Sequence, residues 1–336
     1  MKIMLLLLTL AVIGASIHGQ LTFWLNFIGT PRSVPRRLAH HEGVLKGVIE
    51  PPYRHRVLAP VAAELLQTIL ESLGLRGEEK KAQRLTVAYF LIVFVSLALT
   101  YGFFHSFLRE WFGEREALIG CLLLMAVIPL SITGYFVDDD FVTLALYAVG
   151  FRLFIAGRDW LLPLIVFVGT FNREQTIFLV VFWLAYQSGI GNAFRRRTLC
   201  LAFCCALAFL IPWVAIRYIQ GNPPTRYTVS YHVHHNIEHL GMILRLWSMD
   251  VLLFVVLACV GLRHAPRFFR YALATLPVYV TAFFLKGNMW ELAKALPMYL
   301  ILIPLSLFAL FPPAESVQQA PVGADPRVSP RKSEET

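Results

Sequence analysis

Long apolar runs interrupted by short charged clusters set the pattern of this chain. Runs near the ~20 residues needed to cross a bilayer recur along it, and shorter ones sit between charged loops. The pattern predicts about ten spans, over residues 3–28, 85–107, 117–136, 141–156, 160–170, 176–190, 198–218, 243–262, 271–285 and 296–311. The expected fold class is all-α, a polytopic transmembrane helical bundle with residues 1–311 as its membrane domain. Residues 312–336 are rich in Pro, Ser, Glu and Lys, cannot bury a core, and are expected to form a disordered cytoplasmic tail. The start, MKIMLLLLTLAVIGASIHGQ, has the lysine, apolar stretch and small residues of a secretory signal. The apolar run then resumes through LTFWLNFI, which favours an uncleaved signal-anchor.

Two segments depart from plain spans. Residues 29–84 form a long first loop that contains VLAPVAAELLQTILESLGL, residues 57–75. This stretch is apolar yet holds Glu64, Gln67 and Glu71 at helical spacing, so an amphipathic helix on the membrane surface is expected, with an eleventh span as the alternative. Residues 160–170 rise only ~16 Å as a helix, about half a hydrocarbon core. Either that helix carries Asn172, Arg173 and Glu174 into the membrane, or it stops at a protein-lined cavity. Both versions put ionisable groups near lipid depth, where each costs about 2.5–3.5 kcal/mol and is usually functional or paired.

Composition agrees with the pattern. Hydrophobic residues make up 57% and charged residues 15% of the 336, and the mean hydropathy is +0.62, which excludes an ordinary soluble domain. The net charge of +9 raises the possibility of nucleic acid. Its basic residues lie in short loops between apolar runs, so a lipid bilayer and lipid phosphate are the expected partners and no nucleic acid is. Cys121, Cys200, Cys204, Cys205 and Cys259 lie inside apolar segments and read as reduced small hydrophobes.

The charges also sort by side. Plain arginine runs, RRR at Arg195–Arg197 and RHAPRFFR at Arg263–Arg270, alternate with mixed clusters: HHEG, YRHR, VDDD, FNREQ, HVHHNIEH and NMWELAK. Positive charge favours the cytoplasm, so the arginine runs, the amino terminus and the carboxy terminus are expected inside an inner (plasma) membrane and the mixed clusters outside. The first loop then lies outside despite Arg32, Arg36, Arg37, Lys46, Arg54, Arg56, Arg76, Lys80, Lys81 and Arg84. The rule weakens for long loops, and a phosphate-binding role also keeps cations on that side.

Four groups of residues carry candidate chemistry. Asp138, Asp139 and Asp140 repel one another, which suits a base for an acceptor hydroxyl; the alternative is a solvated acidic turn with Asp140 capping the next helix. Arg54, His55 and Arg56 follow a proline pair, and the arginine fork matches phosphate oxygens; the alternative is interfacial anchoring beside Tyr53. Glu42 and Glu50, near His40 and His41, are further acid or base candidates. In the loop 221–241, His235 and His239 share a helical face near His232 and Glu238. That spacing admits a divalent metal, but the order is not HExxH and no cysteine is near, so hydrogen bonds to sugar or phosphate are favoured and no cofactor is expected. Glu291 and Lys294 share a helix face, and an ordinary ion pair is the alternative there.

The motifs PPYRHRVLAP, GYFVDDDFVTLAL, VGTFNREQTIFL and NMWELAKALP are similar to segments in small bacterial relatives of the GT-C superfamily, integral membrane glycosyltransferases that use polyprenyl-phosphate sugars. The signal-anchor, long outer loop with a surface helix and short central spans resemble the same superfamily. The resemblance implies sugar transfer from a polyprenyl-phosphate donor on the extracytoplasmic face. It implies Asp138, Asp139 or Glu42 as base, and Arg54, Arg56, Arg173 and Lys294 as holders of the leaving phosphate. Glu174 would orient Arg173 or bind sugar hydroxyls. The superfamily's first-loop carboxylate has only Glu42 and Glu50 as counterparts. Two other functions stand beside this one: a transporter or flippase of a lipid-linked sugar, and a non-catalytic subunit of an envelope-assembly complex. The chain has no evident inverted repeat, which disfavours a secondary transporter.

Overall fold

The computed structural model describes residues 2–27, 33–77, 80–132 and 138–311; the expected tail and the end of the first predicted span, at Ile28, lie outside them. The described residues are all-helical, without a strand. The helices are α1 (Lys2–Phe27), α2 (Ser33–Leu45), α3 (Leu58–Ser72), α4 (Lys81–Leu108), α5 (Glu114–Ser131), α6 (Asp138–Ile155) and α7 (Leu162–Thr170). They continue with α8 (Ile177–Gly189), α9 (Arg196–Gln220), α10 (Val229–Glu238), α11 (Leu240–Asp250), α12 (Leu252–Gly261), α13 (Arg267–Lys286) and α14 (Leu296–Leu310).

Five helical segments, Lys2–Leu21, Lys81–Leu108, Arg196–Gln220, Arg267–Lys286 and Leu292–Leu310, are long and apolar enough to cross a membrane. The bent pair α11–α12, broken by 53°, makes a sixth if it counts as one span. The protein is a multi-pass helical membrane protein. Among the described residues the remaining predicted spans are helical but shorter, and residues 133–136, the end of the third predicted span, lie outside them.

Burial separates helices that hydropathy does not. The α14 segment is 89% buried and the α9 segment 17% buried, although both are long and apolar enough to span a membrane. α14 runs through the middle, packed on α12, α5, α6 and α13. Its approach to α12 depends on Gly261, where a Cβ would collide with the Leu305 carbonyl oxygen. Lipid tails are as apolar as leucine, so association here rests on such close packing rather than on escape from water. α9 instead turns Leu199, Phe203, Leu210 and Val214 outward.

α3 realises the amphipathic segment. Ala59 and Ala63 pack on Leu85, Ala88, Tyr89 and Ile92 of α4, while Val61, Leu65 and Ile69, spaced by four, face outward. At 15 residues it rises about 22 Å, too short for a span at 1.5 Å per residue.

The short helix α7 ends at Thr170, and the chain turns through 171–173 before a 3-10 turn at Glu174–Thr176. Of the two expectations for this segment, the second is observed: the helix stops and Arg173 lines a cavity. At the opposite end of the bundle, Phe107, Trp111, Phe151, Phe154, Phe268 and Phe269 form a continuous aromatic cluster with centroids 4.8–6.4 Å apart.

Candidate functional site

The charged clusters that alternate along the sequence meet at one end of the bundle. Asp138, Asp139 and Asp140 are all helical in the first described turn of α6, so Asp140 is not its cap. Their negative charge sits well there, because the amide dipoles of a helix point positive at its start. A solvated acidic turn is ruled out: Asp138 is 5% exposed and Asp140 2%. Each carboxylate has cationic partners instead. Asp138 accepts from Arg37 (2.6 Å) and contacts His18 Nε2 (3.0 Å). Asp139 Oδ2 accepts from Arg173 Nε (2.6 Å) and from Arg56 (3.2 Å), and Arg173 also reaches Asp140 at 2.5 Å. Leaving such buried partners unmatched would be expensive, which ties the loops to α6.

Local structure explains how Arg173 arrives there. Asn172 is fully buried and donates both to the Asp139 carbonyl (2.7 Å) and to Thr143 Oγ1 (2.8 Å), pinning the turn after α7 onto α6. Phe171 O accepts from Leu58 N at 3.0 Å, which brings the start of α3, and with it Arg56, to the same place.

A cavity of about 270 Å³ opens beside these pairs. Phe178, Phe209, Trp213, Ile216 and Phe283 form its apolar walls, and Arg56, Arg173, Arg217, Lys286 and Lys294 supply its cations. Glu174 is the one carboxylate in the lining, and it pairs with Arg217 and accepts from Trp213 Nε1 (3.1 Å) rather than orienting Arg173. Arg217 stacks on the Trp213 ring at 3.9 Å. A smaller cavity, about 30 Å³, is lined by Arg37, His40, Tyr53, Arg56, Tyr89, Asp138 and Asp139. Arg56 lines both cavities, and its bond to Asp139 lies at the partition.

The other sequence-predicted residues fall as follows. His55 lines the large cavity and contacts the Gly221 carbonyl at 3.2 Å; burial lowers its pKa, more than that bond raises it. Arg54 does not face the cavity: it donates to the Ile49 and Gln220 carbonyls and fastens the first loop to the end of α9. Lys294 lines the cavity and forms with Glu291 the ordinary ion pair of the alternative reading; the other Glu291 oxygen accepts from Asn288 (2.7 Å). Glu42 is corrected as a base candidate. Its carboxylate is held by Lys46 and Lys81, both at 2.8 Å, outside the aspartate cluster, and those two bonds pull its pKa to about 2. Glu50 pairs with Arg226 and accepts its backbone N–H (2.7 Å), which lowers its pKa. His235 and His239 lie on α10 and its end, against Trp290 and away from the large cavity's lining. All five cysteines are free thiols.

Tyr53 and His40 line the smaller cavity in a dry setting. Burial pushes the Tyr53 hydroxyl up to about 12, with Glu291 adding to it, and pushes the His40 imidazole down to about 4. Both are therefore neutral hydrogen-bonding groups at pH 7.

Sequence reasoning missed Arg217, Trp213, Lys286, Arg37 and His18. The available signal was a lone cation in the last turn of a helix, at the far end from its arginine run: Arg217 in α9 and Lys286 in α13. Both cations fall at the mixed-cluster end, where anchoring cations are less common. No family model matches this chain, and no curated protein or solved structure matches it either.

Proposed function

We propose that this protein is a membrane glycosyltransferase that moves a sugar from a polyprenyl-phosphate donor to an acceptor hydroxyl on the extracytoplasmic face of the plasma membrane. The observation that carries this reading is the pairing of cavities. One joins aromatic walls to five cations, and it is divided from an aspartate-lined chamber by the Arg56–Asp139 bond. An apolar groove ending in guanidinium and ammonium groups suits an isoprenoid chain with a phosphate head.

In this reading the large cavity takes the donor, with its phosphate among Arg56, Arg173, Arg217, Lys286 and Lys294. The acceptor presents its hydroxyl from the side of the smaller cavity, whose 30 Å³ takes a hydroxyl and not a whole acceptor. Its hydroxyl oxygen attacks the anomeric carbon, the bond from that carbon to the phosphate oxygen breaks, and the hydroxyl proton passes to a carboxylate. Asp139 is the base we favour: both guanidinium bonds fall on its Oδ2, which leaves Oδ1 outside them. The leaving lipid phosphate gains one negative charge, and the fixed cations stabilise it. Asp138 and Asp140 position Arg37 and Arg173 rather than take the proton.

The same reading uses ten crossings. α1, α4, α5, α6, α7, α8, α9, α11–α12, α13 and α14 would alternate in direction, with α2, α3 and α10 at the outer surface. The end-to-end grouping of contacts supports it: Arg56, Asp139, Arg173 and Lys294 gather at one end, and Arg152–Glu110 and Arg197–Asp159 pair at the other. The aromatic cluster at that second end favours a one-sided site over the through-path of a transporter.

The test is transfer by the purified full chain in vesicles, supplied with radiolabelled undecaprenyl- and decaprenyl-phosphate hexoses and pentoses. Release of lipid phosphate with sugar on an acceptor is expected, and is lost in Asp139→Asn. Absence of both donor binding and sugar release across the panel, from a folded protein, sinks the reading. Sidedness is checked in a cysteine-free background with Val48→Cys, 72% exposed, and Phe194→Cys, 92% exposed. An impermeant maleimide added to intact cells should label the first and spare the second.

A further inference from the structure

The α10 helix presents a second set of chemistry-bearing groups outside the large cavity. One face of α10 is locked in place: Asn236 donates to the Phe284 (2.8 Å) and Gly287 (2.9 Å) carbonyls and accepts the Met289 N–H (3.0 Å), while His232 bonds Asn288 (3.1 Å). The adjoining face carries His235, Glu238 and His239, at i, i+3 and i+4, so the three side chains converge. One ligand-capable atom from each lies within 4.8 Å of the other two. A tetrahedral zinc site with bonds of about 2.0–2.1 Å sets its ligands about 3.3 Å apart, within reach of small side-chain rotations.

Two further observations point to metal rather than to chance proximity. First, His239 Nδ1 lies 2.9 Å from the His235 carbonyl oxygen. A carbonyl only accepts, so Nδ1 carries the proton and the Nε2 lone pair is left for a ligand role. That backbone anchoring of the far nitrogen is the usual support of a metal-bound imidazole. Second, the rings are held by packing: Tyr231 stacks on His235 at 5.3 Å, and Trp290 sits edge-on to His235 (4.4 Å) and His239 (5.1 Å).

We infer that His235, Glu238 and His239 bind one divalent transition-metal ion of the zinc class, with the fourth position open. Two imidazoles and a carboxylate are the donor set such ions prefer over calcium or magnesium. The ion would clamp the end of α10 and, through Trp290, the loop 287–291 that leads to Lys294. Binding here does not depend on the transfer reading, and its failure leaves that reading untouched.

The experiment is calorimetric titration of zinc chloride into the chelator-stripped full chain in detergent, purified without a polyhistidine tag. One saturable ion per chain is expected. His235→Ala or His239→Ala should weaken it by at least about tenfold, Glu238→Gln should weaken it less, and His234→Ala should leave it unchanged. Metal-free melting of each variant checks its fold. As a measurement that needs no variant, cobalt(II) bound to the wild-type chain should give the visible absorption of a four-coordinate nitrogen–oxygen site. Non-saturating uptake, equal affinity in the His235→Ala/His239→Ala double variant, or a six-coordinate cobalt spectrum overturns the assignment.

Discussion

The two ends of this bundle use the same residue types to opposite effect. At the cavity end, Arg173 is buried, joins two aspartates from α6, and lines a chamber. At the other end, Arg195, Arg196, Arg263, Arg267 and Arg270 are exposed, and Arg197 reaches Asp159 with its side chain 74% exposed. A guanidinium in water is a solvated anchor, whereas one enclosed with carboxylates defines the position of every loop that touches it. Sequence clusters of arginine therefore carry little information until their depth is known.

Four measurements put that contrast to the test. Arg173→Ala should have the largest effect: about 10²–10³-fold loss of sugar transfer, and about 3–5 kcal/mol lower stability from the stranded aspartates. Transfer assays and melting of the same preparation check both, and near-wild-type behaviour would erase the distinction between the ends. Next, Lys286→Met should reduce affinity for a short-chain polyprenyl phosphate about tenfold while leaving the melting temperature in place, because Lys286 is exposed and makes no salt bridge among the described residues.

The third concerns pH. Burial depresses His40 from 6.5 to about 4. In that window the unfolded chain binds a proton that the folded chain refuses, so stability falls as pH drops, by about 2 kcal/mol between pH 7 and pH 5. The lowered values of His55 and His232 act in the same direction. Melting across this range should show the slope, and His40→Gln should reduce it; an unchanged slope would remove His40 from the account. The smallest effect is expected at Arg197→Ala: at most about 1 kcal/mol and transfer within error of wild type. A large loss there would show that the arginine end is organised after all.

How much of this was legible beforehand follows from the physics of each feature. Helical class, amphipathic α3 and the interruption after α7 come from periodicity and run length, which are local properties. The convergence of VDDD, YRHR and FNREQ was readable because alternating apolar runs force alternate loops to one side. Burial was not readable: α9 and α14 are both apolar all round, and in lipid hydropathy does not say which face is covered. Partnership was not readable either. Glu174 sits beside Arg173 in sequence yet pairs with Arg217, because the 3-10 turn at 174–176 sends the two side chains to different walls. Glu42 is likewise held by partners its own position does not announce, Lys46 just past α2 and Lys81 on α4.

The brevity of α7 has a consequence for the surrounding bilayer. With its preceding turn it covers residues 159–170, about 18 Å of rise against roughly 30 Å of hydrocarbon. Its outward residues Trp160, Leu164 and Phe167 nonetheless ask for lipid contact. In the ten-crossing reading proposed above, a helix this short thins the leaflet around it, and each ångström of mismatch costs a fraction of a kcal/mol. On the same reading, thinning brings the headgroup plane toward Arg173, so the proposed donor would slide sideways, not climb out of its layer, to deliver its phosphate. Thicker, longer-chain membranes should therefore slow entry by resisting that deformation.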